Sequence, residues 1–449
     1  MGIKSQIRTL IPKQIISFYH FCMAVSAAVY YGCPSKKMIV IGITGTKGKT
    51  SAANFIWSVL SAGGHKTGLV GTANIRIGDA ETPNKYHMTM PGRFILQGIL
   101  KKMLNAGCTH CVVETTSEGI KQWRHSGIFY DIAVFTNLYP EHLQSHGGSF
   151  EKYKIAKGKM FLALFEGAEK IIGSKKISKI IIANGDDPHK DYFLSFRADK
   201  KLTFGLSDGV DFKAHAIKNT PAGLEFFVGA DRYAINILGN FNVYNALPAI
   251  VIGLEFGIMP ETIKKGLQNL KNIPGRMEKI DESQNFLVFV DYAHEREGMT
   301  AILDTARDLT VPVPILPAVE AKGHEPKVIL LLGSEGGGRD KAKRPALGEI
   351  AGQKADFVVI SNVDPYEDDP REICEDIASA AEKFGKIREQ NLFVIEDRRE
   401  GIKKALSLAS KNDVVLITGK GSEQSIVIGG KRFLWDDRVV VREILRKEV

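Results

Sequence analysis

The chain has 449 residues, which is too long for one compact core, so we predict two or three domains. A composition of 44% hydrophobic and 25% charged residues is that of an ordinary globular protein, and five cysteines argue against a disulfide framework and fit a reducing compartment. The net charge of +9 suits anionic ligands such as nucleotides. Nucleic acid is not expected as a partner, because basic residues are spread along the chain and no recognition motif is present.

The first predicted element is an apolar segment from Ile15 to Cys33. It is flanked by basic residues, namely Lys4, Arg8, Lys13, Lys36 and Lys37. A membrane span needs ~20 apolar residues, and this segment is at the margin of that length. Three alternatives stay open: a helix packed on the protein or on a second copy, a helix lying at the membrane interface, and a spanning helix.

A glycine-rich loop follows in residues 41–51, IGITGTKGKTS, between an apolar strand, Met38 to Ile43, and a helix, Ser51 to Ala62. Glycines let backbone N–H groups converge on phosphate oxygens, and the helix N-terminus adds a positive dipole end. Lys49 is placed to reach the β- and γ-phosphates, and the Thr50 hydroxyl is placed to ligate Mg²⁺. The longer P-loop pattern is not matched, because the first glycine of the loop lies one position too early. The shorter pattern T-G-T-x-G-K-[TS] is matched in full. We therefore predict a nucleotide phosphate site.

Strands and helices then alternate. Predicted helices cover 93–106, 150–165, 240–257 and 260–270, and predicted strands cover 110–114, 132–136, 180–183 and 201–204. This alternation predicts a mostly parallel sheet with helices on both faces. Residues 211–237 contain short alternating strands and predict a small antiparallel patch.

Polar residues follow two of these strands. Glu114 ends the run CVVE, and ligands of parallel sheets sit at the carboxyl ends of strands, so Glu114 is expected to help Thr50 hold Mg²⁺. The alternative is a glutamate at a helix N-terminus. A second strand ends at Asn137, and His142 follows on a short loop. A lone loop histidine is more often structural than catalytic. His142 and His146 have the spacing of a zinc-binding pair, but the sequence offers no third ligand nearby.

Residues 273–276, IPGR, are predicted to be a linker, after which a second α/β rhythm begins. Its predicted strands are 286–291, 327–332, 356–361, 392–396 and 413–418. The stretch 311–326 carries four prolines and is predicted to be an irregular insertion. The fold prediction is α/β, with a P-loop central domain built on a mostly parallel sheet and a C-terminal Rossmann-like domain. The predicted divisions are an apolar segment over 1–37, the central domain over 38–273 and the C-terminal domain over 274–449.

Ten separated motifs together resemble the Mur ligase family, and most closely its MurE-type members. They are TGTKGKTS at 44–51, ETTS at 114–117, FTNLYPEHLQSHG at 135–147, YKIAKGKMF at 153–161, NGDDP at 184–188, GNFNVYNA at 239–246, IPGRMEKI at 273–280, DYAH at 291–294, GGGRDKAKRP at 336–345 and GKGSEQ at 419–424. Each motif is weak alone, but all of them in this order are highly specific. The resemblance covers 38–449.

The resemblance implies an ATP-dependent ligase that joins an acid to an amino acid. ATP phosphorylates a substrate carboxylate, the amine attacks the acyl phosphate, and an amide forms with release of ADP and phosphate. Metal ions and lysines are needed because the negative charges of phosphate and carboxylate must come together. The implied partners are a small-molecule amino acid and a peptidoglycan-type acceptor, like a UDP-MurNAc peptide. The implied location is the cytoplasm.

The resemblance also assigns roles to residues. Lys49 would bind the phosphates, Thr50 and Glu114 would hold one Mg²⁺, and His142 would help to hold a second. Lys157 matches the family lysine that is carbamylated, which turns a cation into an anionic group facing the metal. The other implied nucleotide-binding residues are Thr46, Lys47, Gly48, Ser51, Asn137, Asn242, Asn245, Arg276, Asp291, Asp340 and Lys343. The implied substrate-binding residues are Thr89, Ser117, Arg339, Asp364, Tyr366, Gly419 and Glu423.

Two departures from the MurE-type pattern affect the substrates. These enzymes usually carry an N-terminal uridine-binding domain, whereas here only residues 1–37 precede the first predicted strand, so we expect that domain to be lacking. Members that add diaminopimelate carry D-N-P-R where this chain has VDPY at 363–366, so the arginine for the distal carboxylate is missing. The negative charge of Asp364 would suit a side-chain ammonium, which favours lysine or ornithine, although Arg339 remains available for a carboxylate.

Two rival functions stay open at this point. One is a folylpolyglutamate- or cyanophycin-like ligase, which shares the central domain. The other is a non-catalytic nucleotide-binding scaffold that pairs with an amidotransferase subunit. IPGRMEKI, GRDKAKRP and GKGSE favour the MurE type, and the joint presence of Lys49, Glu114, His142 and Lys157 argues against a scaffold. An acceptor held without the uridine domain would be a membrane-bound precursor, with residues 15–33 as a peripheral membrane contact.

Overall fold

The computed structural model describes residues 12–86, 88–141, 143–166, 169–220, 223–310, 325–338 and 341–448. It divides into two compact units: unit 1 comprises the residues up to Asn236 with Asn240–Lys271, and unit 2 comprises Ile237–Gly239 with the residues from Asn272 on. Several predicted features lie outside the described residues, namely Lys4, Arg8, the side chain of Lys13, His142, residues 311–324, Arg339 and Asp340.

Unit 1 is built on one large sheet. Its strands are β1 (Ile39–Thr44), β2 (Thr67–Val70), β3 (Asn74–Ile77), β4 (Ala80–Pro83), β5 (His110–Glu114), β6 (Ile132–Phe135), β7 (Ile171–Ile172), β8 (Lys175–Lys176), β9 (Ile180–Asn184), β10 (Lys200–Gly205), β11 (Phe212–Thr220), β12 (Gly223–Val228) and β13 (Asp231–Ile235). Among the described residues, eleven strands pair in the order β13-β12-β11-β10-β9-β6-β1-β5-β2-β3-β4, and β7 and β8 form a separate hairpin. β1 lies between β5 and β6, parallel to both, and Ile43 pairs with Glu114.

Helices cover both faces of this sheet. The helices of unit 1 are Lys13–Tyr30, Lys49–Ala62, Arg93–Asn105, Ser117–Lys121, Phe150–Glu166, Lys190–Leu194, Phe241–Glu255 and Pro260–Asn269, with 3₁₀ turns at Pro34–Lys37 and Leu143–His146. One face packs side chains of Arg93–Asn105 and Phe150–Glu166 against β1, β5 and β6. The other face carries Lys49–Ala62 packed against Phe241–Glu255. The central strands are apolar throughout because both of their faces are buried.

The Lys13–Tyr30 helix packs against Arg93–Asn105 through small residues. Ala24, Ala27 and Ala28 are buried, whereas most of the larger apolar side chains of this helix are exposed. No helix in the described ranges combines the length and the apolar character that a membrane crossing requires.

Unit 2 is a second α/β layer structure. Its strands are β14 (Glu278–Ile280), β15 (Leu287–Asp291), β16 (Val328–Leu332), β17 (Phe357–Ile360), β18 (Leu392–Val394), β19 (Val414–Thr418), β20 (Ser425–Ile428) and β21 (Lys431–Leu434). Its helices are Arg296–Thr310, Lys343–Lys354, Pro370–Glu382, Arg398–Ser407 and Asp437–Glu448. The main sheet runs β14-β15-β19-β16-β17-β18, and every pair is parallel except β14 with β15.

The predicted α/β class is therefore confirmed, with a mostly parallel central sheet and a second α/β layer structure. The antiparallel patch predicted within 211–237 is present as β11 to β13. The helix after the glycine-rich loop begins at Lys49 rather than at the predicted Ser51. Lys49 and Thr50 thus belong to its first turn, where backbone N–H groups point out of the helix end.

Candidate active site

The glycine-rich loop between β1 and the Lys49–Ala62 helix has no space for a side chain at two of its glycines. Gly48 adopts a positive φ of 78° and Gly45 a φ of 154°, in a region that favours glycine. A Cβ on Gly45 would lie 1.9 Å from Thr136 Oγ1, and one on Gly48 would lie 2.1 Å from Asn245 Oδ1. The loop therefore needs glycine at both positions, as a backbone cradle for phosphate does.

The end of β6 fixes the conformation of this loop. The Thr46 N–H donates to the Asn137 carbonyl over 2.9 Å, and the Lys47 N–H donates to Asn137 Oδ1 over 2.8 Å. Thr136 Oγ1 donates to the Lys47 carbonyl over 2.8 Å. Asn137, predicted to bind nucleotide, thus holds the loop in place.

Two lysines bring positive charge to the loop. Lys49 Nζ donates to the carbonyls of Gly45 and Thr46 over 2.9 and 2.8 Å, so its ammonium lies across the loop. Lys47 pairs with Glu141 at 2.7 Å. The loop therefore combines the start of a helix with a lysine charge, as a phosphate site requires.

Glu114 ends β5 beside Thr50, as predicted. Its carboxylate is fully buried and accepts from Thr50 Oγ1 over 3.2 Å. Thr72 donates to it twice, from its N–H over 2.8 Å and from its hydroxyl over 3.0 Å. The Thr72 hydroxyl also lies 2.8 Å from Thr89 Oγ1. A carboxylate and hydroxyl oxygens are ligands that Mg²⁺ prefers, so these residues fit the metal expected here.

Lys157 lies under the loop on the Phe150–Glu166 helix. Its side chain is buried, its Nζ donates to the Gly45 carbonyl over 2.7 Å, and it sits 4.5 Å from the centre of the Tyr153 ring. Burial lowers the pKa of Lys157 well below its usual range; the Lys49 charge lowers it further, and Glu141 opposes the shift. The amine is therefore biased towards its neutral form, in which it is a nucleophile.

The other predicted residues of unit 1 have different surroundings. Asn245 Nδ2 donates to Asn242 Oδ1 over 2.8 Å, and both side chains are buried. Ser117 Oγ lies 3.1 Å from His146 Nε2, and burial lowers the pKa of that histidine. Ser51 is buried in the first turn of the helix. In the described part of the chain no group of three or more His, Cys, Asp and Glu side chains forms a metal cluster.

In unit 2, Asp291 ends β15 and holds the linker. It accepts from the N–H groups of Met277 and Ala293 over 2.6 and 2.7 Å. The Arg276 guanidinium stacks 4.5 Å from the centre of the Tyr292 ring. These contacts give Asp291 and Arg276 structural roles within unit 2.

Lys343, at the start of its helix, pairs with Glu335 and lies 3.5 Å from Glu295. Gly419 follows β19 with a φ of 104°, close against Val363. Tyr366 has a φ of 56°, and its N–H donates to the Val427 carbonyl over 3.2 Å.

The structure corrects the expectation for Asp364. Its Oδ2 accepts from the fully buried Lys420 over 2.8 Å, and its Oδ1 accepts from the Val427 N–H over 2.7 Å. Lys420 also donates to Glu423 over 2.7 Å. The charge of Asp364 is compensated inside the protein, which removes the reason to expect a lysine or ornithine side chain beside it.

Sequence reasoning missed several residues that complete these groups, namely Thr72, Glu141, Tyr153, Glu335 and Lys420. Thr72 lies just beyond the carboxyl end of β2, in the same sheet as Glu114, and that position was a usable signal. Tyr153 is a hydrogen-bond partner of Thr46 at 3.1 Å. Lys420 gave no local signal, because Asp364 lies 56 residues away.

Family models match both units. A model described as Mur ligase middle domain matches residues 43–253, and one described as Mur ligase, glutamate ligase domain matches residues 275–421. The UDP-N-acetylmuramoyl-L-alanyl-D-glutamate--2,6-diaminopimelate ligase of Geobacillus kaustophilus is 35% identical over 442 residues, which cover 97% of this chain and 85% of that protein. The UDP-N-acetylmuramyl-tripeptide synthetase of Roseiflexus sp. is 35% identical over 446 residues, covering 98% and 84%.

Solved structures agree with this similarity. A structure of UDP-N-acetylmuramoyl-L-alanyl-D-glutamate--2,6-diaminopimelate ligase is 28% identical with a TM-score of 0.60, covering 92% of this chain and 79% of that one. Folylpolyglutamate synthase of Mycobacterium tuberculosis, complexed with ADP and AMPPCP, has a TM-score of 0.66 and covers 95% of both chains. At 18% identity, the second likeness concerns the fold alone.

Proposed function

The chain belongs to the Mur ligase family, and we propose that it uses ATP to join an amino acid to a carboxylate of a peptidoglycan-type precursor. Because members of this family are ATP-dependent ligases, the chain is one as well. The observation that carries the proposal is the buried Lys157 beneath the glycine-rich loop, the same loop that leads to the Thr50–Glu114 pair. A phosphate cradle, a metal-binding pair and a neutral buried amine are what acyl phosphate chemistry on this fold needs.

The phosphates of ATP would lie against the loop N–H groups, with Lys49 leaving the loop carbonyls to neutralise them. Thr50 and Glu114 would hold one Mg²⁺. Bound there, Mg²⁺ would neutralise charge between ATP and the substrate carboxylate. Residues 137 to 147 would close the site from the β6 side, and His142 is proposed to help hold a second Mg²⁺. Asn242 and Asn245 are proposed to lie near the adenine.

Lys157 is proposed to act as a carbamate. Its neutral amine adds to CO₂, one N–H proton is released, and the product carries a negative charge. That anion would face the metal side of the loop, where a cationic lysine would repel Mg²⁺. The low pKa of Lys157 supports this step, because only the neutral amine reacts.

The proposed acceptor is a UDP-MurNAc-peptide-like molecule, as in the names of the relatives. For the amino acid, Tyr366 stands where an arginine would pair with the distal carboxylate of diaminopimelate, and a tyrosine forms no charged pair. We propose that diaminopimelate is not held in the manner of its usual enzymes. Steady-state kinetics of Tyr366→Arg with diaminopimelate and with lysine test this. The substitution should raise kcat/KM for diaminopimelate and leave kcat/KM for lysine unchanged. A wild-type chain that already prefers diaminopimelate contradicts it.

The function is tested by measuring phosphate release and amide product with panels of acceptors and amino acids. Activity with a muropeptide acceptor supports the proposal, activity with a folate acceptor supports the folylpolyglutamate-like alternative, and activity with none supports the scaffold. Lys49→Ala should abolish ATP turnover because the phosphates lose their point charge. The exposed Lys403→Ala in unit 2 is the matched control.

The proposed place of this reaction is the cytoplasm, at the inner surface of a membrane. Residues 15–33 are proposed to supply a peripheral contact there, because the helix they form exposes large apolar side chains.

A further inference from the structure

The Lys13–Tyr30 helix is packed in an unusual way. Its buried side chains are the small residues Ala24, Ala27 and Ala28. A Cβ on Gly127 would lie 2.6 Å from Ala28 Cβ, so the helix backbone approaches the protein closely on this side. Trp123 anchors the other end, donating from Nε1 to Ser17 Oγ over 2.7 Å. The attachment therefore includes small side chains, the Trp123–Ser17 hydrogen bond and an edge-on contact of the Phe21 ring with Trp123.

Six large apolar residues of this helix lie on the side away from the protein, which we call the outer face. It consists of Ile15, Phe18, Tyr19, Val25, Val29 and Tyr30, with exposed fractions from 38% for Val25 to 76% for Tyr30. Ile15, Phe18, Val25 and Val29 follow helical spacing, so they form one stripe. Phe94 and Ile95 are exposed on the next helix, and the Phe94 ring lies 6.1 Å from that of Tyr30, which extends the apolar surface.

The chain segments that form and adjoin the outer face carry basic residues and no acidic ones. From Met1 to Gly78 the chain contains no aspartate or glutamate, and Lys36 and Lys37 are exposed just after the helix. The helix on which it packs, Arg93–Asn105, carries Arg93, Lys101 and Lys102 and also has no acidic residue. Exposed apolar and aromatic side chains beside basic ones are typical of a helix that lies in the interface of an anionic bilayer.

We propose that the outer face docks on an anionic lipid surface, with the helix lying in the plane of the headgroups. This inference rests on the membrane contact proposed above for residues 15–33 and deepens it, because it names the partner as an anionic lipid surface. A second copy of the chain is the rival occupant. Two such helices would bring basic termini together with no acidic residue to pair with them, which disfavours the dimer and favours phosphate headgroups.

The test is co-sedimentation of the full chain with vesicles of phosphatidylcholine alone and with phosphatidylglycerol added. The full chain should bind the anionic vesicles more tightly and should release at high salt. Phe18→Glu combined with Val29→Glu should abolish binding, because it puts charges on the stripe. Ile171→Glu combined with Met259→Glu changes two equally exposed apolar residues of unit 1 and should bind as the wild type does. Unchanged ATP turnover in both variants shows that they fold.

The basic residues are tested separately. Lys36→Glu with Lys37→Glu should lower the partition coefficient on anionic vesicles about tenfold or more, since each basic residue near the surface strengthens binding about fivefold. Lys383→Glu with Lys403→Glu makes the same charge change on exposed residues of unit 2 and should have little effect. The proposal is overturned if the full chain stays in the supernatant, if it binds neutral and anionic vesicles equally, or if it sediments as a dimer that Phe18→Glu with Val29→Glu dissociates.

Discussion

Lys157 in unit 1, on the Phe150–Glu166 helix, and Lys420 in unit 2, just after β19, are both buried lysines, and their environments differ in one respect. Lys157 donates to a carbonyl, and no carboxylate of the described residues pairs with it, so burial dominates and lowers its pKa. Lys420 is equally buried, but Glu423 and Asp364 outweigh burial and raise its pKa. Burial therefore makes a lysine reactive only where no carboxylate compensates it.

This difference distinguishes a lysine that is available for reaction, Lys157, from one that stabilises the fold, Lys420. A neutral buried amine is available for carbamylation, which needs a lone pair. A charged buried lysine with two carboxylates holds two chain segments together, the one that contains Asp364 and the one that contains Lys420 and Glu423. In unit 2 the same logic applies to Arg398, which is buried and pairs with Asp437 at 2.6 Å. In unit 1, Lys170 is intermediate between these two cases. Burial lowers its pKa to about 8, and the nearby Asp131 carboxylate opposes that shift.

The largest effect is expected from breaking the paired lysine. Lys420→Met should lower the free energy of unfolding by about 3 kcal/mol, because Asp364 is left buried without its cation. Urea unfolding of the full chain measures this. Lys431→Met removes an exposed lysine from β21 and should change stability little. Equal effects of the two substitutions would mean that the Lys420 pairs contribute no stability.

Removing the unpaired lysine should affect activity more than stability. Lys157→Ala should reduce amide formation about a hundredfold, and short carboxylates added to the assay should partly restore it, because they replace the carbamate next to the metal. Lys159→Ala, an exposed lysine of the same helix, should retain activity. Full activity of Lys157→Ala would refute the carbamate.

Acid should destabilise unit 1 through groups that are buried in neutral form. Burial, assisted by Lys159, lowers the pKa of His125 to about 4, and its Nδ1 has no hydrogen-bond partner in the part of the chain that the structure describes. Stability is complete above the unfolded pKa of about 6.5 and falls as the pH drops towards 4, because the unfolded state binds the proton first.

His125→Gln should therefore remove about 2 kcal/mol of the stability loss between about pH 7 and about pH 5. Calorimetric unfolding of wild type and variant across this range measures the difference. His110, whose pKa burial lowers to about 3 with help from His65, should keep the rest of the acid sensitivity in the variant. Parallel pH profiles of the two proteins would contradict a neutral His125.

The smallest effect is expected at Thr72, which holds Glu114 with two hydrogen bonds. Thr72→Val should weaken activation by Mg²⁺ about tenfold, because the carboxylate loses one of its donors. Thr72→Ser keeps the hydroxyl and should restore activation. A magnesium titration of activity distinguishes the two, and a Thr72→Val enzyme with an unchanged titration would mean that the Thr72 hydroxyl does not position Glu114.

Much of the fold and part of the candidate site follow from the sequence. The apolar runs that become β1, β5 and β6, and the glycine-rich turn after β1, are local patterns, so the loop and its helix were predictable. Glu114 was predictable too, because a residue that ends a parallel strand must lie at the ligand edge of the sheet. The match of ten ordered motifs identified the family for the same reason, since each motif is a local pattern.

The tertiary structure decided what depends on distant partners. The lowered pKa of Lys157 comes from its burial under the loop, and the ion pair of Asp364 is formed with a lysine 56 residues away. Residues 15–33 are apolar on nearly every side, so their sequence does not indicate which side faces the protein. Packing placed the alanines inward, because only small side chains allow the close approach seen at Gly127, and it left the aromatic residues outward.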